Sequence, residues 1–246
     1  MKHRAFALAL TLAATVTPAV AGEPRAVIEL FTSQGCSSCP PADRLAGQLR
    51  QDPSVLVLSL PVDYWDYLGW KDTLALHGHT VRQQAYAQSR GDREVYTPQA
   101  VVNGVVHALG SDKAAIEKAI DETRAKAQPL TVPVTLNVAD GKLTVNVAEA
   151  ANAGNGKAEI WLCPYASTIP VAVERGENRG HTLTYYDVVR RWVKLGEFTG
   201  KAQSFTLPVA DVTKGESIVD HVAVLVQREP EGKPGLMLGA AAASLR

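Results

Sequence analysis

The sequence predicts an α/β domain followed by an all-β, sandwich-like domain. Residues 26–126 alternate strand and helix patterns, whereas from about residue 131 onward only short alternating strands separated by turn signals occur. The length of 246 residues agrees, because at ~100 to 200 residues per domain it holds one large or two small units.

The chain opens on Lys2, His3 and Arg4, an apolar stretch over residues 5–16, and Ala19-Val20-Ala21 before Gly22. A positive start, a short apolar region and a small-residue cleavage site make a secretory signal. The apolar stretch is shorter than the ~20 residues of a bilayer span. Residues 1–21 are read as a signal peptide, 22–127 as the α/β domain and 128–246 as the sandwich-like domain, with no membrane span in the mature chain. Lysine plus arginine number 25, as do aspartate plus glutamate. Losing Lys2 and Arg4 leaves a slightly acidic mature chain, with no electrostatic case for nucleic acid or an anionic membrane surface.

The first strand is expected over residues 26–32 and a helix over 39–51, with Leu45 and Leu49 on one face. A near-continuous apolar strand at 55–62 fits a position buried on both faces. Residues 73–89 read as a helical insert. Strands at 99–102 and 105–109 flank Asn103-Gly104, the strongest short hairpin signal. Ser111 or Asp112 caps a last helix carrying Ile116, Ala119 and Ile120, which ends at Gln128-Pro129. Beyond it, strands are expected at 131–138, 142–148, 157–163, 171–174, 182–195, 203–209 and 221–227, with Asp140-Gly141 and Asn155-Gly156 as turns. The alanine run near Ala240 is too short to assign.

Chemistry concentrates at Cys36-Ser37-Ser38-Cys39-Pro40-Pro41, where the first strand passes through a polar turn into a helix. Only a thiolate is nucleophilic, and unpaired N–H groups at a helix start favour the anion. Cys36 is then the attacking thiol and Cys39, three residues on, the resolving one. Pro40 and Pro41 suit the first turn but remove donors. Three readings of the pair stay open, beside a noncatalytic adaptor in which the fold is kept for binding alone. A structural bridge is disfavoured because a four-residue loop gives only about 2 kcal/mol, against about 3 for fifteen residues. Metal binding by Cys36 and Cys39 with His77 and His79 suits Cu(I) or Zn(II). Redox exchange needs no cofactor and takes an exported protein or another thiol as substrate, with a redox protein as partner.

The order strand, helix, strand, helical segment, hairpin, helix, with the dithiol at the first helix start, resembles the thioredoxin-like superfamily over roughly residues 25 to 126. Tyr96-Thr97-Pro98-Gln99, just before the hairpin, supports the resemblance, which implies a cis Pro98, preceded by Thr97, facing the dithiol. It also suggests Glu29 as a carboxylate relaying protons to the resolving thiol, although here the offset to Cys36 is one residue longer and no tryptophan precedes Cys36. More narrowly, the segments from Glu29 to Asp43, from Val62 to Asp72 and from Tyr96 to Gln99 resemble an exported bacterial family of unknown function, DUF1223. With the signal, that resemblance implies an exported mature protein, expected in the periplasm.

Tyr64, Trp65 and Trp70 follow the second strand at its carboxyl end, where α/β sheets place ligand crevices; they are candidates for a substrate platform, or a cap on the core. Cys163 ends an alternating strand and reads as a buried small hydrophobe, with a bridge to Cys36 as the alternative. The charged, glycine-flanked run from Glu174 to His181 reads as a solvated turn or an interdomain contact.

Overall fold

The computed structural model describes residues 24–151, 156–216 and 218–246. The proposed signal peptide and the start at Gly22 lie outside the described residues.

The first half follows the expected order. Strand β1 is Ala26–Thr32, helix α1 Pro40–Leu49, β2 Val55–Pro61, α2 His77–Arg90, β3 Gln99–Val102, β4 Val106–Leu109 and α3 Lys113–Ala127. β1 lies parallel to β2 and antiparallel to β3. Local chemistry accounts for the boundaries. Pro40 and Pro41 occupy the first turn of α1, where missing N–H groups cost nothing. The Asp112 side chain accepts from the Ala115 N–H at 3.0 Å and caps α3. Asn103 and Gly104 both take positive φ, 50° and 76°, at the centre of a turn closed by the Val105 N–H on the Val102 carbonyl at 3.1 Å, and with Val102 paired to Val106 the loop holds three residues, one more than expected.

The second half adds β5 Val134–Ala139, β6 Lys142–Val147, β7 Ala158–Ala172, β8 Thr182–Val189, β9 Val193–Phe198, β10 Gln203–Pro208, β11 His221–Arg228 and β12 Met237–Ser244. Three departures from expectation stand out, the first being that the strand expected over residues 182–195 divides into β8 and β9, which both pair with β7. β7 runs on through residues that the sequence divides into separate segments, because β8 and β11 pair along its length. The alanine run is a strand, β12, held by β11. Its small residues permit close approach: a Cβ on Gly239 would fall 2.3 Å from the Val132 carbonyl oxygen.

The expected α/β thioredoxin-like domain followed by a separate sandwich does not form. Strand makes up 39% and helix 23% of the described residues, and nine strands share one large mixed sheet. Its order is β12-β11-β7-β8-β2-β1-β3-β4, with β9 on β7, while β10-β6-β5 form a second sheet. The physical reason is the free edge of β2. That edge belongs to a strand buried on both faces, and β8 runs parallel to it, joined through Ser59 and Val188.

Alternation then distributes the side chains. Ile28 and Leu30 of β1 pack with Leu45 and Leu49 of α1 and with Ile116 and Ile120 of α3. Val27, Phe31, Leu58 and Leu60, pointing to the opposite face, join Tyr86, Cys163, Ala223 and Leu225 in a core shared by both halves. β11 is likewise buried on both faces, because Val222, Val224 and Val226 meet Leu143, Val145 and Leu162 in a third cluster under the small sheet.

Where β8 passes between neighbours, Asp187 takes φ 50°. Arg50 at the end of α1 fills the gap this leaves in the ladder. Its Nε lies 3.0 Å from Asp187 Oδ2 and its Nη1 donates to the Ser167 carbonyl at 2.9 Å.

Candidate functional site

The turn between β1 and α1 carries a disulfide joining Cys36 and Cys39, whose Cα atoms lie 5.4 Å apart. Cys36 is 2% exposed and Cys39 fully buried. Cys39 is the N-cap of α1, and its carbonyl accepts from Ala42 and Asp43. The Ser38 hydroxyl lies 3.4 Å from Cys36 Sγ and 3.4 Å from the Thr97 carbonyl oxygen, so it touches the sulfur and the facing loop at once. The Thr97–Pro98 peptide is cis.

The aromatic segment splits into separate roles. Trp65 donates from Nε1 to the Thr97 hydroxyl at 2.8 Å, and Trp70 donates to Gln34 Oε1 at 2.8 Å. The two indoles therefore brace the loops on either side of the disulfide. Tyr67 stacks on Trp65 with ring centroids 6.3 Å apart and is 77% exposed, which leaves an aromatic ledge beside the site. Tyr64 turns inward against the shared core.

Glu29 lies on the sheet face opposite α1. Its carboxylate receives Arg82 Nε at 2.7 Å and the Tyr86 hydroxyl, and Gln227 completes the cluster through Arg82 and Tyr86. Arg82 also sits 4.2 Å over the Trp192 ring. This buried, mutually satisfied cluster joins the two halves; it faces away from the helix that carries Cys39.

A carboxyl that does share the disulfide's helix is Asp43, one turn beyond Cys39. It is 3% exposed; Oδ1 accepts from the Thr32 hydroxyl at 2.7 Å, while Oδ2 has no hydrogen-bond partner among the described residues. Burial pushes its pKa up to about 8, with Asp72 adding to the rise and the Thr32 hydroxyl and Arg44 opposing it. Tyr185 is also buried, with a hydroxyl that has no hydrogen-bond partner among the described residues; burial, then Asp43 and Asp72, push its pKa up.

The two histidines do not accompany the cysteines. His77 pairs with Asp63 at 2.9 Å on the surface, and His79 is buried with Nδ1 3.0 Å from the Pro61 carbonyl oxygen. Among the described residues no group of three or more His, Cys, Asp or Glu is arranged to hold a metal ion. Cys163 is free and fully buried in the shared core, where desolvation raises its thiol pKa well above the usual range.

Two residues that the sequence does not single out come from the β7–β8 connection. Asn178 donates from Nδ2 to the carbonyls of Gln34 and Cys36, each at 2.9 Å. Glu177 accepts the Ser37 N–H at 3.1 Å, and hydrogen bonding from Ser37 holds its carboxyl below the usual range. The charged run from Glu174 to His181 is the only sequence signal for them.

Fold and site together define a mostly β protein with a short, shielded Cys-x-x-Cys bridge at a helix start. The chain belongs to the family described as protein of unknown function (DUF1223), whose model matches residues 27–227. It is similar to the crystal structure of protein AGR_C_4864 from Agrobacterium tumefaciens, with 34% identity, a TM-score of 0.80, and coverage of 92% of this chain and 96% of that one. HBP35 of Porphyromonas gingivalis shares the fold at 12% identity and a TM-score of 0.63, over 91% of this chain and 76% of that one. No curated protein matches the chain.

Proposed function

We propose that the protein is an exported, periplasmic thiol-disulfide exchange protein whose centre is Cys36 and Cys39, acting on a thiol or disulfide of an exported protein and recharged by a redox partner. The observation that carries this reading is the disulfide at the start of α1, with the Ser38 hydroxyl beside the Cys36 sulfur. On reduction that hydroxyl can turn its proton toward a Cys36 thiolate, a charge-assisted bond that supplements the donors lost at Pro40 and Pro41. Cys36, on the loop side with the Ser38 hydroxyl beside it, fits the attacking role, and Cys39 at the N-cap fits the resolving step. The ledge of Trp65 and Tyr67 offers a stacking surface for an incoming chain. Export is supported by the charged start, short apolar stretch and Ala19-Val20-Ala21 at the N-terminus.

Trapping in cells tests the reading. With Cys39→Ala, a mixed disulfide on Cys36 cannot be resolved, so covalent adducts should accumulate and disappear on adding reductant. If no adduct forms in the exported protein, the exchange reading fails.

A further inference from the structure

The β7–β8 connection from Glu174 to His181 folds over the disulfide as a strap. Its base is closed by its own backbone: Val173 donates to the His181 carbonyl at 2.9 Å and Gly180 donates to the Val173 carbonyl at 2.8 Å. Its tip carries the contacts to the site. Both hydrogens of the Asn178 amide are spent on the Gln34 and Cys36 carbonyls, and Asn178 is 6% exposed. Glu177 takes the Ser37 N–H, and Gly176 lies against Trp70, where an added Cβ would come within 3.4 Å. Gly176 and Gly180 have φ of 76° and 81°, so the tip is bounded by residues that turn freely.

The geometry points to a gate. We infer that the strap tip controls access to Cys36, and that Asn178 is its latch, so that a thiol reaches the sulfur only after Asn178 has released the Gln34 and Cys36 carbonyls. This rests on the exchange reading above and specifies its regulation. A disulfide meant for exchange is found almost wholly covered, and the strap tip at Gly176 lies against Trp70 and the Leu68 carbonyl of the same aromatic loop that carries the Trp65–Tyr67 ledge, so a partner docking on the ledge meets the tip. Once the tip lifts, an external thiolate attacks Cys36 Sγ, the Cys36–Cys39 bond breaks and Cys39 leaves as a thiolate that takes up a proton. A second external thiol then attacks the mixed disulfide, so that the external thiols end as a disulfide and the protein as a dithiol.

The test is the rate of reduction of the folded, oxidised protein by dithiothreitol, with urea unfolding measured in parallel. Asn178→Ala removes two hydrogen bonds, each of modest net worth, so reduction should accelerate about tenfold. Amide exchange of Ser37 should accelerate with it, while exchange in β2 stays unchanged. Wild-type reduction should be slower than that of the urea-unfolded chain. The gate is overturned if Asn178→Ala changes the rate by less than about twofold, if wild-type protein reacts as fast as the unfolded chain, or if faster reduction is matched by an equal rise in the global unfolding constant. A lack of trapped adducts with Cys39→Ala overturns the exchange reading alone, since reactivity with dithiothreitol does not depend on a biological substrate.

Discussion

Asp43 makes the stability of the protein respond to alkali. The native state keeps its proton up to about pH 8, whereas an unfolded aspartate, with an ordinary value of 3.8, has lost it. Its contribution is therefore complete below about pH 4 and is lost as pH rises through about 8. His79, depressed to about 4 by burial, works in the other direction, with its contribution complete above 6.5 and lost as pH falls. Between pH 6.5 and 8 the buried carboxyls dominate: Asp43 titrates toward about 8 with Asp72, also raised by burial, beside it, while burial lifts Asp187 to about 7 against the opposing pull of Arg50. Urea unfolding should show wild-type stability falling by on the order of 1 kcal/mol per pH unit there, and Asp43→Asn should flatten most of that slope. A slope unaltered in the variant would show that Asp43 is not the group titrating. Glu29 behaves differently, because it is paired. Glu29→Gln strands the buried Arg82 charge and should cost roughly 3 to 5 kcal/mol, with the rate of Cys36–Cys39 reduction by dithiothreitol unchanged. Slower reduction at unaltered stability would return Glu29 to the site. At this scale the cysteines are legible because their chemistry is local, four residues with prolines behind them. Asn178 is not, because its bond to the Cys36 carbonyl crosses 142 positions.

Elements are legible where a turn or cap speaks for itself. Asn103-Gly104 marks its hairpin, and Asp112 caps its helix as its residue type dictates. The hairpin turn has a second duty that only packing reveals. Asn103 accepts the Val27 N–H at 2.8 Å and donates to the Thr123 hydroxyl at 2.8 Å. A Cβ on Gly104 would sit 2.0 Å from the Gly235 carbonyl oxygen, in the segment before β12. Gly104→Ala should therefore destabilise the protein by roughly 2 to 3 kcal/mol, since strained φ and a backbone clash add. A thermal midpoint equal to wild type would refute the close approach. β12 escaped the sequence because alanine has poor strand propensity, and its place depends on the tight contact at Gly239, which propensity does not register.

For the whole molecule, periodicity reports which faces are buried without saying what covers them. β2 reads correctly as a doubly buried strand, yet its cover comes from α1 on one side and from β7 and β11 on the other. A chain of residues 24–127 alone would expose Val27, Phe31, Leu58 and Leu60 to water. It should show no cooperative thermal transition, whereas the chain from residue 24 to 246 should unfold in one step. A fragment that melts cooperatively near the parent midpoint would mean that the shared core is dispensable.

Cys163 gives the molecule an internal reporter. Because it is sealed in that core while Cys36 and Cys39 lie under a strap, an alkylating reagent added after reduction distinguishes two events by mass. Two labels on a chain record local opening at the bridge, and three record collapse of the whole, so one spectrum of a reduced sample separates breathing from denaturation without an added probe.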